Sequence, residues 1–296
     1  MNLSSQKSEN FPSIVSPMQE DKNNPSSRSK RTVGMKEIKS ILSDKISRDN
    51  KQHQREDNSQ ENAFKTQNRD GFVTVSKLQL WQLFKKAYHI AHRKTFLETP
   101  DTLANIAPVI DYFIRDPDFY ERKRLITRIG NVSLVPDFDK GLLIIGDYGN
   151  GKSTIMKALQ LVFDHYLMPM RFKSYKAHDL VTEFERIGAD PTYRESSRYQ
   201  FYEKLTNVKG LYMDDVKKER LASNFGKVNL IRDILEKRYD QKSVKTYITC
   251  NYREGDASCD LADALEEFGD LYGGHIYDRL FEMFNIIEFK GATFRK

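Results

Sequence analysis

Gly146-Asp147-Tyr148-Gly149-Asn150-Gly151-Lys152-Ser153 fills every fixed position of the phosphate-binding pattern GxxxxGK[ST]. Glycines at these places let consecutive backbone N–H groups turn inward on a β-phosphate. The N-terminus of a following helix adds partial positive charge, and Lys152 reaches the β and γ oxygens. Ser153 has the hydroxyl to hold Mg2+, and Thr154 carries the loop into the helix. Four further segments have residues suited to handling a γ-phosphate. Gly210-Leu211-Tyr212-Met213-Asp214-Asp215 is an apolar strand ending in two acids, a Walker B form in which Asp214 secures Mg2+ and Asp215 orients or deprotonates the attacking water. Tyr247-Ile248-Thr249-Cys250-Asn251 is a strand closed by an amide, and Asn251 could hydrogen-bond that water or the γ-phosphate. On its own an asparagine at a strand end is usually a turn residue. Arg279, on an amphipathic helix, reads either as an arginine finger or as a surface ion-pair residue beside Asp278 or Glu282. Arg295 follows the last strand, where terminal arginines are commonly without consequence.

These groups need strands and helices to bring them together. The apolar run Leu142-Leu143-Ile144-Ile145 precedes the loop, and Ile155, Met156, Leu159, Val162 and Phe163 follow it at helical spacing. Strand, glycine turn and helix is the setting that a phosphate loop requires. Further strands are expected near 170–175, 210–213, 246–249 and 285–289, with helices between them, the clearest over 229–239. That alternation predicts a parallel sheet covered on both faces. Upstream, Leu80, Trp81, Phe84, Ala87, Tyr88 and Ala91 form a broad apolar stripe that reads as core, and 104–113 and 120–129 are expected to be two more helices. These helices are expected to pack beside the nucleotide domain as a collar.

Residues 1–70 are rich in Ser, Asn, Gln, Lys and Asp, too polar to bury a core, and are expected to be disordered. Within them Met35, Ile38, Ile41, Leu42 and Ile46 keep helical spacing, which fits a transient helix or a segment that folds on a partner. The division expected is a polar tail over 1–70, a helical region over 71–131 for docking or as a collar, and an ATPase domain over 132–296. No apolar run approaches bilayer length, and no signal-peptide core opens the chain. A cytoplasmic protein without a membrane partner is expected. Two cysteines exclude a disulfide framework. The close pair His89 and His92 reads as surface decoration rather than a metal site. The net charge of +6 permits an anionic partner without naming one. Arg186, Tyr193, Arg194, Arg198 and Tyr199 read as a solvated helix face first and a base-stacking surface second.

In their order and spacing these segments resemble the AAA+ family, and within it the DnaC/IstB group of bacterial helicase loaders and transposition helper ATPases. The resemblance covers about 137–296. It rests on the Gly-Asp-x-Gly-x-Gly-Lys loop, on Asp214-Asp215, on Thr249-Cys250-Asn251, where Cys250 stands for the usual Ser, on Asp278-Arg279-Leu280, and on the closing Gly291-Ala292-Thr293-Phe294-Arg295. It implies a P-loop AAA+ α/β fold, a parallel sheet flanked by helices, from which the sequence departs in having only Lys296 after Arg295, so that a truncated or absent lid is expected. It also implies ATP and Mg2+ as ligands, Asn251 as sensor 1, Arg295 as sensor 2 acting in cis, and Arg279 as a finger acting in trans within a homo-oligomer formed on ATP binding. The partners implied are a replicative DNA helicase and single-stranded DNA, in a bacterial or mobile-element-encoded protein. A transposase is the alternative client. A nucleotide-gated adaptor that does not hydrolyse ATP is the reading from another class, and a small-molecule kinase fits the loop alone.

Overall fold

The computed structural model describes residues 75–166, 168–189, 195–223, 226–241, 243–255 and 258–293. The polar segment 1–70, with its helically spaced residues Met35 to Ile46, lies outside the described residues. So do Tyr193, Arg194 and Arg295. The described residues all belong to one compact unit.

Ser76 caps helix α1 (Lys77–His92) by exchanging hydrogen bonds with Gln79, and Thr99 caps α2 (Pro100–Ile114) in the same way with Thr102. A 3-10 turn (Pro117–Glu121) follows, then three two-residue strands, β1 (Leu125–Ile126), β2 (Arg128–Ile129) and β3 (Val132–Ser133). The alternating part begins with β4 (Gly141–Gly146) and α3 (Lys152–His165), then β5 (Lys173–Lys176), α4 (Ala177–Ala189), α5 (Glu195–Thr206) and β6 (Gly210–Val216). After a small ribbon of β7 (Ala222–Ser223) and β8 (Lys227–Val228) come α6 (Leu230–Tyr239), β9 (Lys245–Cys250), α7 (Leu261–Tyr272), α8 (Gly274–Met283) and β10 (Phe284–Phe289).

The main sheet has the order β1-β10-β4-β9-β6-β5, parallel except for β1, which runs antiparallel along β10. The expected parallel sheet is therefore present. Strand side chains alternate between its faces. Leu142, Ile144, Tyr212 and Tyr247 join a core with α1, α2 and α3, whereas Leu143, Ile145, Met213 and Ile248 join a second core with α4, α6, α7 and α8. Leu80, Phe84 and Ala87 of the α1 stripe are buried in the first core, directly against the helix that follows the glycine loop.

The helix expected over 120–129 is not there. Leu125 and Ile126 pair instead with Ile287 and Ile286 at the edge of the sheet. Arg122 and Arg124 turn back onto Asp111 and Asp101. Backbone pairing along β10 and two ion pairs to α2 outweigh the weak local helical preference. No helix follows β10 among the described residues, and none of their helices is long and apolar enough to cross a membrane.

Candidate nucleotide site

In an open parallel sheet the strands end together, and a crevice outside their C-terminal ends is the natural place for a ligand. Here β4 ends in the glycine loop, β6 ends in Asp214 and Asp215, and β9 ends at Asn251. They border a cleft of about 730 Å³ whose floor is residues 148–155. Gly149 and Gly151 have φ of 78° and 95°, which turn the loop around its centre and start α3. Gly146 is required for a different reason. A Cβ there would lie 2.4 Å from the carbonyl oxygen of Phe289, because β10 and Asn150 press against the base of the loop. Asn150 Nδ2 donates to that same carbonyl at 2.9 Å, fixing the loop to β10. Asp147 Oδ1 accepts from the Tyr148 N–H, and Thr154 Oγ1 donates to Gly151 O, so both serve loop geometry.

Lys152 is 5% exposed. Its ammonium donates to Gly146 O at 2.7 Å, Asp147 O at 2.8 Å and Asn251 Oδ1 at 3.0 Å, and lies 3.3 Å from Asn150 Oδ1. All four are neutral oxygens. Burial lowers its pKa to about 8. Asn251 is also buried, and its Nδ2 has no hydrogen-bond partner among the described residues. A cation held by neutral oxygens and an amide N–H with nothing to donate to are both groups that a polyphosphate satisfies, so these residues fit ATP. Ser153 Oγ donates to Asp214 Oδ1 at 2.6 Å. That leaves the hydroxyl lone pairs for a hard cation beside a carboxylate, which fits Mg2+.

Asp215 reaches the cleft through a bulge. Met213 pairs with Ile248 and Val216 with Cys250, so β6 spends one more residue than β9 over this stretch. The extra residue has φ of 55° at Asp215, a left-handed conformation costing about 1 to 2 kcal/mol for a residue with a Cβ. Asp214 is thereby left buried under Ser153 while Asp215 lines the cleft.

Arg279 is not at this cleft. Its guanidinium lies 4.3 Å from the centre of the Tyr239 ring, on the α6 and α8 side of the sheet. Arg295 lies outside the described residues, although Thr293, two positions before it, lines the cleft. The strand end leading there is held by Asn105, which donates to Lys290 O and accepts from Lys290 N. Of the arginine and tyrosine group on the second face, Arg186 pairs with Glu183, Arg198 lies over Phe184, and the Tyr199 hydroxyl donates to Glu203.

One wall of the cleft escaped the sequence reading. Tyr88 and His92 of α1, and Thr95, Phe96 and Leu97 from the turn after it, face the loop. His92 is not surface decoration: it is half-buried, its Nε2 lies 3.0 Å from Thr154 O, and burial lowers its pKa. The signal was the α1 stripe itself, whose burial against α3 carries its C-terminal end to the glycine loop. Lys218 was also missed. It lines the cleft with its Nζ 4.1 Å from the centre of the Tyr148 ring.

No family model and no curated protein matches this chain. Similar solved structures include the DnaC helicase loader, at 18% identity over 69% of this chain and 99% of that one with a TM-score of 0.44. DnaI is similar at 14% identity over 69% of this chain and 93% of that one, with a TM-score of 0.42. AMPPCP-bound DnaA from Aquifex aeolicus is similar at 15% identity over 66% of this chain and 48% of that one, with a TM-score of 0.39.

Proposed function

We propose that this chain is a Mg2+-dependent ATPase that acts in DNA replication as a DnaC-like helicase loader. One observation carries the ATPase reading: Lys152, Ser153, Asp215 and Asn251 come from three strand ends to line one cleft, with Asp214 bonded beneath Ser153. In this reading Lys152 and the loop N–H groups hold the β- and γ-phosphates, and Asp215 and Asn251 hold the attacking water in line. Ser153 and Asp214 would hold Mg2+, which would supply charge neutralisation at the phosphate oxygens. A ligand that only stays bound needs no acid aimed at its terminal phosphate, which favours turnover over a passive adaptor. Arg279, remote from its own cleft, serves the cleft of a neighbouring subunit, so ATP binding promotes homo-oligomer formation. In the same reading Arg295 takes the sensor 2 role in cis that the resemblance implies.

The loader role rests on the resemblance of the motifs, with a replicative helicase and single-stranded DNA as partners. Affinity capture with Asp215→Asn in the presence of ATP tests it. Recovery of a hexameric replicative helicase is the expected result. Recovery of a transposase without helicase would replace the loader by a transposition helper.

A further inference from the structure

Thr249 sits on β9, between the strand that feeds the glycine loop and the strand that carries the two acids. It is fully buried, and so is Tyr212. The Thr249 hydroxyl donates to Asp214 Oδ1 at 2.7 Å, and the Tyr212 hydroxyl donates to the same oxygen at 2.7 Å. With Ser153 Oγ at 2.6 Å, one carboxylate oxygen accepts three hydroxyl protons. Thr249 Oγ1 is also an acceptor: the backbone N–H of Asp215 donates to it at 3.3 Å, at the left-handed residue of the bulge. The two hydroxyls therefore differ in reach. The Tyr212 hydroxyl reaches the side chains of Asp214, Thr249 and Ser153, whereas the Thr249 hydroxyl reaches Asp214 and also the backbone N–H of Asp215.

We infer that Thr249 is a positioning residue that couples the two acids, orienting Asp214 toward the Ser153 cation site and fixing the bulge that aims Asp215 into the cleft, with Tyr212 orienting Asp214 without holding the bulge. A carboxylate oxygen with three donors has one rotamer, so its alignment with Ser153 is set before any cation arrives. A strand-end bulge with a non-glycine residue at positive φ needs an external tie to hold it, and the Asp215 N–H to Thr249 bond is that tie. Aliphatic side chains of similar size would fill the same buried space without either effect. The inference rests on the Mg2+-ATP reading of the cleft.

The test compares Thr249→Val, Thr249→Ser and Tyr212→Phe in the full-length chain. Two quantities are read: the Mg2+ concentration that half-saturates the tightening of ATP binding, by calorimetry, and kcat at saturating Mg2+ and ATP. Metal-free ATP affinity serves as the folding control and should stay within about twofold of wild type, since neither hydroxyl faces the loop N–H groups. Thr249→Val and Tyr212→Phe should each raise the half-saturating Mg2+ about tenfold or more. Thr249→Val should in addition lower kcat about tenfold further than Tyr212→Phe does, because only it releases Asp215. Thr249→Ser keeps the hydroxyl and should restore both quantities. Equal kcat losses in Thr249→Val and Tyr212→Phe, or an unmoved Mg2+ requirement in both, overturns the inference while leaving the ATP reading intact. A wild-type chain whose nucleotide binding ignores Mg2+ overturns both.

Discussion

Lys152 is the residue on which the phosphate site turns, and its surroundings make a pH prediction. Its pKa is about 8 in the fold against an ordinary 10.5 for lysine. Between those values the unfolded chain holds a proton that the folded chain lacks, so stability from this group rises with pH across that window. Below pH 8 both forms are protonated and the fold carries the full cost of the buried charge. A polyphosphate reverses the preference, since it favours the ammonium form. ATP binding should therefore take up a proton above pH 8, with affinity flat near neutrality and falling by up to about tenfold per unit above pH 8. Calorimetry across pH 6.5 to 9.5 in buffers of different ionisation enthalpy measures this, and a flat affinity with no proton uptake contradicts it. At this scale the sequence was informative because the glycine loop is local: its eight residues dictate their own geometry. His92 and Lys218 were not legible, since each enters the cleft only through packing between residues distant in the chain.

At the scale of elements, the sheet is held by ties that leave little trace in the sequence. Arg238 of α6 is 2% exposed and donates to the carbonyls of Leu205, Thr206, Val208 and Lys245 and to Thr246 Oγ1. Burial lowers its pKa to about 10. It joins the turn before β6 to the start of β9, the two strands whose ends carry Asp215 and Asn251. Arg238→Ala should cost about 3 kcal/mol or more by urea denaturation, because it strands several buried carbonyls. A loss under 1 kcal/mol would mean that water replaces the guanidinium. Gly146→Ala should be as damaging, for its Cβ has no room beside Phe289. A soluble variant melting within a few degrees of wild type would show that β10 can yield. The periodic elements were legible: the apolar runs at 142–145 and 246–249 lie within β4 and β9. The segment 120–129 was misread because a two-residue edge strand carries no period of its own and exists only through β10. The bulge at Asp215 was equally hidden, since it is a difference in length between β6 and β9 and not a residue pattern.

The molecule as a whole gathers its cleft residues at the C-terminal ends of the interior strands and leaves Arg279 on another face. If that arginine serves a neighbour's cleft, Arg279→Ala and Asp215→Asn should each be inactive alone and regain activity when mixed, because a mixed interface can join an intact Asp215 to an intact Arg279. Phosphate release from titrated mixtures reads this, and strictly additive inactivity would place the arginine outside the reaction. The expectations for nucleotide turnover depend on the cleft being a hydrolytic ATP site. The measurement that bears on it most directly is ATP binding and steady phosphate release by the wild type and Asp215→Asn, side by side in Mg2+. The account predicts comparable ATP affinity in both and a rate at least about a hundredfold lower in the variant. A wild type that does not bind ATP, or a variant that turns it over at the wild-type rate, contradicts it.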